Sequence, residues 1–198
     1  MIIQCNKCRT RDKKIECLTK QINSIRTQLI SREKELAGYR KRHTAIHKGV
    51  AGEIYIARLI RGAKLSPGGS PFDITLKSGK KVEVKFSDLN RPVAGSNVKR
   101  WDWHSIYGEK GTKRWNFLVL FGKKDQRFKE KYRDRSSPYV FFVLDRKDTR
   151  KVKQNANEAG HIALTTNPDR MHINNIKGRQ LWQYKKSAQE IKKYFADK

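Results

Sequence analysis

The sequence predicts an α/β (α+β) domain, built as a central mixed sheet flanked by helices and preceded by an N-terminal coiled-coil helix. Residues 12–42 carry a narrow apolar stripe at heptad spacing. Residues 71–77 and 80–87 alternate apolar and polar side chains with period two, which is typical of half-buried strands. Residues 115–123 and 138–145 are continuous apolar runs, which are typical of strands covered on both faces.

The N-terminal stripe has the spacing of a and d positions, alternately three and four residues apart. Its members are Ile15, Leu18, Ile22, Ile25, Leu29, Leu36 and Tyr39, with Arg32 interrupting the series. A stripe this narrow is typical of a seam between two helices, so we expect a homodimer through residues 12–42. The alternative is a helix that packs the same stripe across its own domain. We assign residues 1–44 to this helical arm.

The remaining chain predicts a layered domain. The segment "KGVAGEIYIARLIRG" indicates a helix that Gly62 ends. "PFDITLK" and "KKVEVKFS" indicate the two strands of a hairpin, and "SAQEIKKYFADK" indicates a closing helix. Together with the two apolar runs, these elements are expected to form a sheet with helices outside it.

The charge of the chain indicates a polyanionic partner. Lys and Arg number 46 against 19 Asp and Glu, so the formal net charge is +27. Positive side chains in such excess repel one another in the folded protein and destabilise it. Nucleic acid is the commonest partner that neutralises it. A membrane partner would require a basic amphipathic helix or an apolar run of about 20 residues, and the sequence shows neither, so we expect no membrane association.

The three cysteines are Cys5, Cys8 and Cys17. An odd number clustered at one end is a poor disulfide framework, so we expect a reducing cytoplasm of bacterial or phage type. Cys5-x-x-Cys8 has the spacing of half a zinc site, which Cys17, His43 or His47 could complete. We favour ordinary thiols over zinc, because no second pair follows at finger spacing.

The loop of the predicted hairpin decides which residues face each other. A two-residue turn at Ser78-Gly79 would set the polar face of one strand beside the apolar face of the other. A three-residue loop pairs Leu76 with Lys80 and puts Gly79 where a left-handed backbone is favoured. We predict the three-residue loop. Its register keeps these apolar residues on one face: Phe72, Ile74, Val82 and Val84.

The same register sets Asp73 directly opposite Glu83, with Cβ atoms about 4.5–5.5 Å apart. Like charges at that distance destabilise a sheet unless something neutralises them. Mg²⁺ prefers one or two carboxylates together with water and phosphate oxygens, so it is the expected counter-ion. Lys85 lies one pleat along the same face, where it can orient a metal-bound water or stabilise charge on phosphorus. The alternative is a solvated hairpin face without a function.

This arrangement of Asp, turn and Glu-x-Lys resembles the motif of the PD-(D/E)XK nuclease superfamily. Asp73 carries the first acid of the motif behind a displaced Pro71, and Glu83-Val84-Lys85 matches its second half. The resemblance covers about residues 48–145. It implies a restriction-endonuclease-like core, a nuclease domain over residues 45–198 and Mg²⁺-dependent cleavage of phosphodiester bonds.

The resemblance also implies roles for individual residues. Asp73 and Glu83 would bind Mg²⁺, with the Val84 carbonyl as a further ligand, and Mn²⁺ is expected to substitute. Lys85 would position or activate the attacking water. Glu53 stands where many members supply a glutamate from an earlier helix, which binds a second metal or orients a metal-bound water. The alternative for Glu53 is an ion pair with a nearby lysine.

Basic residues alternate with aromatic residues between residues 88 and 114, as suits phosphate contact combined with stacking. The expected nucleic-acid-binding residues are Arg91, Lys99, Arg100, Trp103, Lys113 and Arg114. The alternative is a helix whose tryptophans pack into the core, and we expect Trp101 and Trp103 to be partly buried. A second basic stretch, residues 123–137, connects the two apolar runs.

The sequence therefore predicts a Mg²⁺-dependent endonuclease of double-stranded DNA, of restriction or homing type. One alternative is a structure-specific resolvase of branched DNA. Another is a non-catalytic nucleic-acid-binding protein on the same fold, although binding alone needs no carboxylates near phosphate. An RNA-binding protein is a third class, for which the sequence lacks the RRM aromatic motif and the KH loop.

Overall fold

The computed structural model describes residues 11–90, 99–108, 110–132, 134–153, 158–169, 180–196 and 198. The chain divides into two units, Met1–His47 and Lys48–Lys198. The boundary lies inside helix α1, Arg11–Leu59. The assignment of residues 1–44 as a dimerisation arm stays a prediction.

In the first unit, α1 carries the predicted apolar stripe on its surface. Six stripe side chains are each 52–64% exposed: Ile15, Leu18, Ile22, Ile25, Leu29 and Leu36. Arg32, which interrupts the stripe, pairs with Glu35 at 3.2 Å, and such pairs one turn apart stabilise a helix. No described helix is long and apolar enough to cross a bilayer.

The second unit is a mixed α/β structure. Its strands are β1 (Lys64–Leu65), β2 (Ile74–Thr75), β3 (Lys81–Ser87), β4 (Arg100–His104), β5 (Phe117–Lys123), β6 (Tyr139–Asp145), β7 (His161–Thr165) and β8 (Lys185–Lys186). Besides the end of α1, its helices are α2 (Arg146–Val152), α3 (Ala188–Ala196) and the 3-10 segment Gln126–Tyr132.

The strands form two sheets. The larger has the order β1-β2-β3-β5-β6-β8, and β4 pairs with β7 in the smaller. Because β3 and β5 run parallel while the other pairs run antiparallel, the larger sheet is mixed. The mixed sheet and the N-terminal helix are confirmed.

The hairpin between β2 and β3 has the predicted register. Ile74 pairs with Val82 and Thr75 with Lys81. Extended by one residue beyond the end of β2, this register sets Asp73 opposite Glu83. Gly79 has a φ of 78°, as the third loop position requires. The placement of Phe72 is a correction, because its ring packs against the core around β4 instead of beside Ile74. Phe72 lies before the paired residues of β2, so the alternation of that strand does not set its direction.

The central strands divide their side chains between two cores. One core lies against α1 and α3 and includes Ile56, Val84, Phe121, Phe141 and Phe195. The other lies against the smaller sheet and includes Trp101, Trp103, Leu118, Leu120 and Phe142. Both faces of β5 and β6 are therefore covered, which explains why their sequences are apolar throughout.

Trp101 and Trp103 correct two expectations. They lie on a strand, not on a helix, and they are only 0% and 1% exposed. Their indole N–H groups donate to the carbonyls of Lys123 and Phe121 at 2.9 and 3.1 Å. On β4 every second side chain points into the core. Trp103 therefore packs in the core, where its indole is not exposed for stacking on a base, and its contact with nucleic acid stays a prediction.

Candidate functional site

The structure brings the four predicted catalytic side chains into one neighbourhood. Asp73 and Glu83 face each other across the hairpin, and Lys85 follows on the same face of β3. Glu53 lies on the part of α1 that belongs to the second unit. Burial raises the pKa of Glu53, and the charges of Asp73 and Glu83 raise it further, so all three carboxylates interact electrostatically.

Asp73 is held by the backbone of the opposite strand. Its Oδ2 accepts a hydrogen bond from the backbone N–H of Val84 at 2.7 Å. The Asp73 N–H in turn donates to the Val82 carbonyl at 3.1 Å. These bonds fix the carboxylate on the polar face of the hairpin. A ligand role for the Val84 carbonyl stays a prediction.

Glu83 is the most unusual group of the site, since it is a fully buried carboxylate. Its Oε1 forms an ion pair with Lys85 Nζ at 2.9 Å and accepts a hydrogen bond from Lys113 Nζ at 2.5 Å. Its Oε2 is buried and has no hydrogen-bond partner among the described residues. An unpartnered buried oxygen costs free energy unless a ligand or water satisfies it.

The acid groups of the site disfavour one another's ionised forms. Burial raises the pKa of Glu83, and the charge of Asp73 adds to the rise, while Lys85 and Lys113 oppose it. Burial also raises the pKa of Glu53, with further contributions from Asp73 and Glu83. A bound cation would relieve this repulsion and favour the ionised forms.

Lys113 contacts Glu83, a role that the sequence did not indicate. It was predicted to contact phosphate, whereas its ammonium lies on the buried carboxylate of Glu83. Its backbone N–H donates to the Tyr107 carbonyl at 2.8 Å, which holds the loop there. Thirty residues separate Lys113 from Glu83, so no spacing in the sequence could indicate the contact.

The other predicted nucleic-acid-binding residues differ in exposure and in their contacts. Arg91 lies outside the described residues, as do Cys5 and Cys8 of the possible zinc site. Arg100 pairs with Asp102 at 2.7 Å. Lys99 is half-buried, and its carbonyl accepts from Thr166 at 3.1 Å. Arg114 is exposed, so its predicted contact with phosphate remains open.

The oxygen donors at the hairpin are of the kind that a hard divalent cation accepts, although the described part of the chain does not gather three of them within 4.8 Å of one another. Asp73, Glu83 and Glu53 supply carboxylates, which are ligands that Mg²⁺ accepts. The free Oε2 of Glu83 supports the fit, because a cation would satisfy it.

A second group of possible ligands lies on the smaller sheet, in Asp102, His104 and His161. Their ligand atoms lie within 4.8 Å of one another. The two imidazole rings stack at 4.3 Å, and His161 contacts Asp102 at 3.3 Å. Arg100 already occupies the other oxygen of Asp102. No pattern in the sequence groups these residues, because His104 and His161 lie close to each other only through the pairing of β4 with β7.

No protein-family model, no curated protein and no solved structure matches this chain. The fold and the site define a mixed α/β protein with a cluster of carboxylates and lysines on a hairpin. This cluster is the feature of the chain that indicates a chemical function.

Glu53→Gln is expected to stabilise the metal-free protein at neutral pH. The pKa of Glu53 is raised in the folded state, so its favourable contribution is full below the unfolded-state pKa and is lost as the pH rises through the folded-state pKa. Gln is uncharged at every pH and avoids that loss. Urea unfolding in EDTA should give a higher midpoint for the variant at neutral pH and converging midpoints in acid.

The matched control is Glu130→Gln, which alters a carboxylate that is 62% exposed and pairs with Arg135 on the surface. It should show no comparable stabilisation at neutral pH. Equal midpoints for Glu53→Gln and wild type at neutral pH would show that neither burial nor the other carboxylates disfavour the ionised form of Glu53.

Proposed function

We propose that this protein is a Mg²⁺-dependent endonuclease of double-stranded DNA with a restriction-endonuclease-like core. One observation carries the proposal: the buried Glu83 faces Asp73, leaves Oε2 without a partner and lies beside the ammonium of Lys85. The unpartnered buried oxygen costs free energy unless a ligand or water satisfies it. Opposed acids can hold a metal ion and an adjacent lysine can orient a water, which are functions that metal-assisted phosphodiester hydrolysis uses.

Asp73 and Glu83 would hold Mg²⁺, with the Val84 carbonyl as a further ligand and Glu53 beside them. The ion would supply a water of lowered pKa and neutralise charge on the phosphate. The Val84 N–H holds Asp73 in one orientation. Lys85 positions the attacking water, and the ammonium groups of Lys85 and Lys113 stabilise the negative charge that develops on the phosphoryl oxygens.

The charge of the whole chain supports DNA as the substrate. A protein with a net charge of +27 attracts a polyanion strongly at low salt. The exposed stripe of the arm supports a homodimer, which suits cleavage of two strands. We place this activity in a reducing cytoplasm, as the cysteine content favours.

A non-catalytic nucleic-acid-binding protein is the second candidate, and one observation favours it. Lys85 and Lys113 both contact Glu83, so the two lysines can neutralise this carboxylate without a metal. The carboxylate would then be a buried structural group. This candidate predicts that the protein binds DNA without cleaving it.

The deciding experiment incubates the full chain with Mg²⁺ on supercoiled plasmid and on a synthetic four-way junction in parallel, each with an EDTA control. Nicking or linearisation of the plasmid that requires Mg²⁺ is the expected result. Cleavage of the junction alone would favour the resolvase alternative. Binding of both DNAs without cleavage in Mg²⁺ or Mn²⁺ would contradict the proposal and favour the second candidate.

A further inference from the structure

A strongly cationic cavity lies at one end of the larger sheet. Its volume is about 600 Å³, and its lining is Lys81, Arg114, Trp115, Asn116, Arg146 and Arg150. Lys81 comes from β3, Arg114 from the loop before β5, and the last two arginines from α2. The cavity therefore gathers four cations from three separate parts of the chain.

These four cations have no acidic partner among the described residues, where every observed ion pair involves other side chains. Burial and the positive charges of Arg114 and Arg150 lower the pKa of Arg146. Like charges held together in this way destabilise the folded protein until an anion neutralises them. The cavity therefore favours an anionic ligand.

Arg146 is held in position by groups other than carboxylates. Its guanidinium lies 5.2 Å from the ring centre of Trp115 and 5.4 Å from that of Tyr107, distances at which aromatic faces attract a cation. One N–H donates to the Lys113 carbonyl at 3.3 Å. Among the described residues the guanidinium makes no other hydrogen bond, and such a planar fork suits two oxygens of one phosphate.

The cavity adjoins the carboxylate cluster through two connections. Lys81 lies two residues before Glu83 on the same face of β3, which is about 6.6–6.8 Å along the strand. Arg146 bonds the carbonyl of Lys113, whose ammonium lies on Glu83. An extended polyanion bound at Asp73 and Glu83 would therefore have further phosphates near this cavity.

We propose that the cavity binds a backbone phosphate of DNA next to the phosphodiester held at the carboxylate cluster. The identity of the ligand as DNA rests on the proposed function. The cavity adds Lys81, Arg146 and Arg150 to the contact surface, and it places the predicted contact of Arg114 within it. The proposed ligand is the phosphodiester backbone, which carries no sequence information.

The test compares Arg114→Gln/Arg150→Gln with wild type in the full chain. Both arginines are exposed, so the fold is expected to persist, which thermal unfolding checks. Binding of a labelled duplex is followed by anisotropy in Ca²⁺ over a range of salt concentrations. The variant should bind more weakly, and its slope of log K against log salt should be smaller by about two units, one for each lost contact.

The matched control is Arg58→Gln/Arg61→Gln, which removes the same charge from exposed positions elsewhere. A reduced slope in the cavity variant with a wild-type slope in the control supports the proposal. Equal slopes in all three proteins would overturn it. An equal reduction in the variant and the control would also overturn it, because only net charge would then matter.

A second readout separates this inference from the proposed function. Bis(4-nitrophenyl) phosphate is a phosphodiester without a neighbouring phosphate, so its Mg²⁺-dependent hydrolysis by the wild-type chain tests the carboxylate cluster alone. Absence of this hydrolysis would contradict the proposed function and would leave the salt-slope comparison of the cavity variant and its control as the test of the cavity. The binding measurement needs no cleavage, so it tests the cavity even if the protein proves not to be a nuclease.

Discussion

Glu83→Gln is expected to abolish Mg²⁺-dependent DNA cleavage while leaving DNA binding intact. Gln keeps the size of the buried side chain but removes the charge that binds the cation. Loss of one group that stabilises developing charge typically lowers the rate by about 10²–10³-fold, and loss of a metal ligand should cost at least that much. DNA affinity is expected to stay equal or rise, because a carboxylate near phosphate repels it. Plasmid cleavage and anisotropy measure the two effects.

Asp73→Asn provides an independent variant with a smaller structural change. An amide oxygen can still accept the hydrogen bond from the Val84 N–H, so the local backbone should be kept while the charge is lost. Glu130→Gln is the matched control, and it should cleave like wild type. Cleavage by wild type in excess EDTA, or by both variants at the wild-type rate, would show that the carboxylates do not bind a catalytic metal.

The full chain is expected to form a dimer that Ile22→Glu/Leu29→Glu converts to monomer. Both side chains are more than half exposed in the single chain, and a seam would bury them. Burying such a side chain contributes about 1.5–3 kcal/mol, and a dimer would lose four of them. The dissociation constant should therefore rise by more than about 10³-fold. Sedimentation velocity of the full chain measures the change.

The control for the seam is Ser24→Glu/Ser31→Glu, which adds the same charges with the same spacing on another face of α1. It should remain dimeric. A wild-type chain that sediments as a monomer at micromolar concentration would contradict the predicted homodimer. Monomeric behaviour of the control would show that added charge alone, without loss of the apolar stripe, separates the chains.

Local patterns in the sequence were enough for several features. The period of two and the glycine at the third loop position correctly predicted the hairpin register, in which Ile74 pairs with Val82. The apolar runs predicted β5 and β6 because both faces of these strands are buried. The spacing of Ile22 and its neighbours predicted a helix, whose stripe is exposed. Each of these features depends on residues a few positions apart, where backbone geometry relates side chains directly.

Contacts between residues that are far apart in the sequence determined the other features of the site. Lys113 contacts Glu83, and Arg146 enters the cationic cavity, only because distant segments are folded against β3. The basic and aromatic composition near Trp103 indicated a binding surface, but β4 directs that indole into the core. Composition shows that charge and aromatic rings are available in a segment. The direction in which each side chain points depends on the strand pairing and on the core that covers one face, which are properties of the folded chain as a whole.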